Sequence, residues 1–169
     1  MKTIKYDNKY ILPKTLSDNK LQKIVQFYLF ECPVEGKSFR GKTFEEYGYY
    51  GASSFSKLKK VLLNAGTASL KKNYYPCAKN ELEESFTICE KINYPDEYCV
   101  FLKWDERSII RSMFAAIRNA IAHGSFNVKK YNRSDRIYFF SNYDGYEKAR
   151  IVLYEETLLS WIKIIKNEE

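Results

Sequence analysis

The chain has little of what usually builds metal sites or breaks a fold into many short pieces. Among 169 residues there are one histidine, four cysteines, seven glycines and four prolines. The cysteines, at positions 32, 77, 89 and 99, form no C-x-x-C pair, and His123 is the lone imidazole. A zinc cage of the usual kind is therefore not expected, and neither metal nor cofactor is called for. No apolar run approaches the ~20 residues that cross a bilayer. Scattered thiols without a leader-like segment predict a soluble protein of the reducing cytoplasm. Repeats and low-complexity tracts are also missing.

Aromatic residues are abundant, with 15 tyrosines and 11 phenylalanines. The 45% hydrophobic and 29% charged content is that of a globular chain, and the length suits one domain over 1–169. A net charge of +7 attracts polyanions without conferring specificity.

Residues 1–16 read as an extended arm. A helix opens at Ser17 or Asp18, carries Leu21, Ile24, Val25, Tyr28 and Leu29, and stops at Pro33. The loop over 33–43 holds Gly36, Lys37, Arg40, Gly41 and Lys42 but lacks the upstream glycine of a phosphate-binding loop. Thr43 and Glu46 have capping-box spacing and start a second helical region. Its stripe of Phe55, Leu58 and Leu62 ends at Gly66, with Lys57, Lys59 and Lys60 mostly on the opposite face. Residues 67–80 look irregular around Pro76, and Leu82 to Ile92 suits a short acidic helix. Tyr98 to Trp104 fits either a strand or a helical turn, and periodicity does not decide between them. The clearest β signal is late: Arg136–Phe140 and Ala149–Tyr154 flank Asp144-Gly145, a hairpin over 136–154. A final helix over 155–167 follows. These elements predict a mainly α fold, a helical bundle with a C-terminal β-hairpin and a last helix.

The best helix covers 105–124. Asp105 is a candidate N-cap with Glu106 in the first turn, and Ile109, Ile110, Met113, Phe114, Ile117 and Ile121 recur at three- and four-residue steps. Gly124 is placed to end it in a left-handed residue. This core helix delivers Arg118, Asn119 and His123 to its own end. On an ideal helix Arg118 and His123 stand ~140° and ~7.5 Å apart, so one protomer would flank a substrate poorly. Two copies of the helix paired about a two-fold axis would pool both groups.

Arg118-Asn119, three residues, then His123, within I-R-N-A-I-A-H-G, resembles the R-x4–6-H signature of HEPN domains. That resemblance implies an α-helical HEPN-like bundle, a homodimer with its cleft on the two-fold axis, and metal-independent RNA cleavage. Relatives of this kind include toxins and antiviral effectors, some silenced by an antitoxin or another regulatory partner. In relatives paired with a minimal nucleotidyltransferase, a tyrosine follows the histidine by two places; here Ser125 stands there, which argues against that pairing.

RNA carries its own nucleophile in the 2′-OH, and imidazole is the side chain that titrates nearest neutrality. His123 is thus the expected acid or base, Arg118 the clamp on the scissile phosphate, and Asn119 an orienting group. Lys129, Lys130, Arg133 and Arg136, with Tyr131 among them, are expected to guide RNA. A non-catalytic module that binds RNA, a nucleotide or a partner protein is the alternative.

Overall fold

In the computed structural model, residues 17–34, 42–104, 108–132 and 135–168 are described. The expected arm over 1–16, most of the loop before Thr43, the Asp105–Glu106 cap and Arg133 lie outside them. Helix α1 (Asn19–Gln26) begins where the Asp18 carboxylate accepts the Leu21 N–H at 3.0 Å, and it runs into a π-helical turn, Phe27–Glu31. The chain then forms α2 (Gly51–Ala65), α3 (Ala68–Lys72), β1 (Tyr74–Cys77), α4 (Leu82–Cys89), β2 (Tyr98–Leu102) and α5 (Ile109–Ala122). Strands β3 (Phe126–Lys130), β4 (Arg136–Asp144) and β5 (Tyr146–Tyr154) and helix α6 (Glu155–Lys166) complete it.

The expectation of a mainly α, HEPN-like bundle is overturned. Among the described residues, six α-helices accompany a five-stranded mixed sheet in the order β1-β2-β5-β4-β3, which makes the fold α/β. The hairpin is present, with Gly145 at φ 73, but it is the middle of a sheet rather than an appendage. Strand β2 pairs antiparallel with β5, Cys99 facing Ile151, and parallel with β1 on its other side. Its Cys99, Val100 and Phe101 are all fully buried, so both of its faces are covered. A strand buried on both sides shows no alternation of apolar and polar residues, which is why its period was ambiguous.

Pleating sends alternate side chains to opposite faces of the sheet. The inner face (Phe101, Ile151, Leu153, Tyr138, Phe140 and Phe126) joins α1, α5 and α6 in the main core. There Trp161 of α6 is fully buried and donates its indole N–H to the Leu62 carbonyl at 2.8 Å. The outer face is covered by α4 around Val100, Tyr98 and Tyr146. Toward β4 it is instead met by Tyr94, whose ring stacks on Phe139. Thr43 and Glu46 do cap each other, N–H to Oε2 at 2.6 Å and N–H to Oγ1 at 3.2 Å, but they close a turn ahead of α2 rather than start a helix. Among the described residues, no helix is long and apolar enough to cross a membrane.

Candidate active site

Helix α5 is the most buried helix in the fold because its apolar residues contact the sheet on one side and the α1–π segment on the other. Ser108 caps its start, accepting the Arg111 N–H at 3.2 Å. The end closes as the sequence predicts. His123 donates its backbone N–H to Asn119 at 3.0 Å, Gly124 to Ile121 at 3.1 Å and Ser125 to Ala120 at 2.8 Å. With Gly124 at φ 66, this is a Schellman closure, which satisfies carbonyls that a helix end would otherwise leave open.

Three side chains leave this closure in different environments. The His123 residue is exposed at the helix terminus. Asn119, four residues earlier, is 8% exposed, and its Oδ1 accepts from Arg118 Nη1 at 3.3 Å. Arg118 is half-buried. Burial pushes the Cys32 thiol well above its ordinary range, and the positive charge of Arg118 pulls the other way. The chain therefore holds an exposed histidine and an amide-supported guanidinium at one helix end, facing different surroundings. Ser141 donates its N–H to Ser125 at 2.9 Å, which ties the segment after the imidazole to β4.

The residues expected to guide RNA separate. Lys129 and Lys130 are exposed on β3, the edge strand. Lys129 Nζ stands 5.2 Å from the Phe139 ring centroid. Tyr131 stacks on Tyr154 at 4.9 Å, beside a cavity of about 170 Å³ lined by Asp135, Glu155 and Glu156. Arg136 lines the same cavity but is ion-paired with Asp18 and, at 2.6 Å, with Glu155, which is 3% exposed. Tyr138 donates its hydroxyl to the same Glu155 at 2.9 Å. Two carboxylates already match its charge, so Arg136 joins β4 to the starts of α1 and α6 instead of presenting a cation to RNA.

The larger cleft, about 420 Å³, lies between α1 and the end of α6 and is lined by none of Arg118, Asn119 and His123. Its Lys166 pairs with Glu31 and its Lys23 with Glu168, so it is electrically balanced. Among the described residues, no group of three or more His, Cys, Asp or Glu side chains is arranged to hold a metal ion.

Sequence reasoning did not single out Tyr94 and Phe139, which meet as nearly parallel rings with centroids 6.3 Å apart. A signal existed: Ile137 to Phe140 is apolar at every position, which means both faces of β4 are in use. No family model matches the chain, and comparisons with curated proteins and with solved structures return no match.

Proposed function

We propose that the protein is a metal-independent endoribonuclease of the R-x4–6-H kind, working at a composite site in a homodimer. The observation that carries this reading is the solvent-exposed residue His123, held by the Schellman closure five residues after an arginine whose guanidinium is steadied by Asn119. The frame is α/β rather than the bundle of the family whose motif it resembles, so the reading rests on the motif and its local geometry.

In the proposed reaction His123 of one protomer accepts the 2′-OH proton as that oxygen attacks phosphorus. The P–O5′ bond breaks, and the protonated His123 of the second protomer supplies the proton to the leaving oxygen. Arg118 holds the non-bridging oxygens and offsets the charge that builds on them. The products are a 2′,3′-cyclic phosphate and a 5′-hydroxyl. A toxin or antiviral effector restrained by a partner protein is the setting this chemistry fits.

The test is incubation of the purified protein with end-labelled RNA in EDTA, beside Arg118→Ala and His123→Ala. Cleavage by the wild type, lost by at least a hundredfold in both variants with folding intact, is the expected result. Equal cleavage by His123→Ala would remove the assignment. The second reading, an RNA-binding module without turnover, is favoured by the partial burial of Arg118; it predicts binding with no product in any of the three proteins.

A further inference from the structure

We infer that the outer face of the sheet at β3 and β4 is a stacking platform for single-stranded RNA, leading to the helix end that carries His123. The inference rests on the proposed RNA chemistry for its ligand, while its geometry stands apart from the catalytic residues. Strand register orders this face in rows. Tyr154, Ile137 and Lys129 form one, and Val152, Phe139 and Asn127 the next. Arg150 and Ser141 form a third, which Ser141 N–H extends to the Ser125 carbonyl. The rows therefore climb from the Tyr131–Tyr154 stack toward Ser125, two residues after His123.

Three features favour an RNA single strand as the occupant. First, two rings are open to solvent: Tyr94, stacked over the mostly covered Phe139, is 56% exposed, and Tyr143 at the upper end is 64% exposed. Aromatic faces of this kind take bases with little regard for sequence. Second, charge is graded along the face. Lys129 lies beside Phe139 and Lys130 follows it, and neither is ion-paired among the described residues. The β3 and β4 positions of the outer face (Asn127, Lys129, Ile137, Phe139 and Ser141) include no carboxylate, and Arg150 is matched by Glu147 at 2.7 Å and Glu90 at 3.4 Å. The lower end, beyond Tyr131, is lined by Asp135, Glu155 and Glu156 against the single cation of Arg136, a net negative lining that disfavours a phosphate backbone. The strand thus has one favourable direction, from Lys129 toward His123. Third, the distance is short. Asn127 lies four positions after His123, at most ~14 Å of chain, or about four stacked nucleotides at ~3.4 Å each.

A polypeptide strand added to the β3 edge is the competing occupant. Adjacent lysines on an edge strand disfavour such pairing.

The experiment measures binding of labelled oligouridine to full-length protein carrying His123→Ala, which keeps the RNA intact. Tyr94→Leu and Phe139→Leu preserve apolar bulk and remove the rings, and Tyr94→Phe restores one. Each leucine variant should weaken binding about tenfold at an unchanged melting temperature, with Tyr94→Phe near the parent and duplex RNA a poor competitor. Lys129→Ala should lower the salt dependence of binding. Unchanged affinity in both leucine variants, or duplex RNA competing as well as the single strand, would overturn the platform. Ring-dependent binding by a wild-type protein that cleaves nothing would uphold the platform and sink the nuclease reading. Cleavage that persists alongside ring-independent binding would do the reverse.

Discussion

Ser141 donates its backbone N–H to the carbonyl of Ser125 at 2.9 Å, and this bond joins the segment after the lone histidine to the central hairpin. Together with the Ser125 N–H to Ala120 bond at 2.8 Å, it sets where the imidazole leaves the fold. The hinge of the arrangement is Gly124, whose φ of 66 suits a residue without a β-carbon. Gly124→Ala is expected to cost about 1 kcal/mol in chemical denaturation, from strain at positive φ. If cleavage depends on the imidazole's placement, activity should fall by more than stability at a temperature where the variant is fully folded. Wild-type turnover in this variant would show that the closure does not govern the site.

Glu97 is fully buried, and its two carboxylate oxygens accept from the Thr67 N–H at 2.9 Å and the Tyr154 N–H at 2.8 Å. One side chain thereby joins the start of α3 to the end of β5. Glu97→Gln keeps the shape but turns an NH₂ group toward one of those N–H donors. Losing one charge-assisted bond and stranding a donor should cost about 2–3 kcal/mol. Urea denaturation reads this directly, and a loss under 0.5 kcal/mol, roughly the noise of a surface change, would contradict the role.

Single helices and the hairpin were legible from local pattern, but the five-stranded sheet that sets the fold class was not. The stripe from Ile109 to Ile121 and the Gly124 stop gave α5 and its closure, and Asp144-Gly145 gave the hairpin. Tyr74–Cys77 did not read as a strand because it is four residues long and contains Pro76, which is tolerated at an edge such as β1. Phe126–Lys130 did not read as a strand because an edge strand shows its lysines to solvent. The pairing of β2 with β5 joins residues about fifty positions apart, which no window of ten or twenty residues reveals. At the site, the sequence marked Arg118, Asn119 and His123. The ion pairs that occupy Arg136 come from Asp18 and Glu155, partners that only the tertiary fold supplies.

The Arg136 guanidinium beside Asp18 holds that carboxyl down to about 2, from 3.8. The folded state therefore binds fewer protons at Asp18 than the unfolded state does between those values. The resulting stability is fully present above the unfolded value and fades as pH falls toward the folded one. Asp18→Asn should cost about 1–2 kcal/mol at neutral pH, below the full linkage value because the carboxylate is partly solvated. The gap between variant and wild type should close as the pH is lowered through the range from about 4 to about 2. A gap independent of pH would rule out the ion pair as its source, and since an asparagine also caps α1, it would assign the effect to local packing.

The proposed composite site makes a demand that a site within one chain cannot meet. Arg118→Ala and His123→Ala homodimers should each be inactive, because one lacks both clamps and the other both imidazoles. When the two variants are unfolded together and refolded, about half of the dimers should pair one chain of each. Each mixed dimer holds an intact arginine in one chain and an intact histidine in the other. If the two helix ends share one cleft, the mixture recovers measurable cleavage, a fraction of the wild-type rate since one acid–base group is still missing. If instead the arginine and histidine of the same chain act together, no molecule in the mixture has a complete site and activity stays at background. The half-buried Arg118 and the exposed His123 face different surroundings within one chain, so recovery on mixing is the expected outcome.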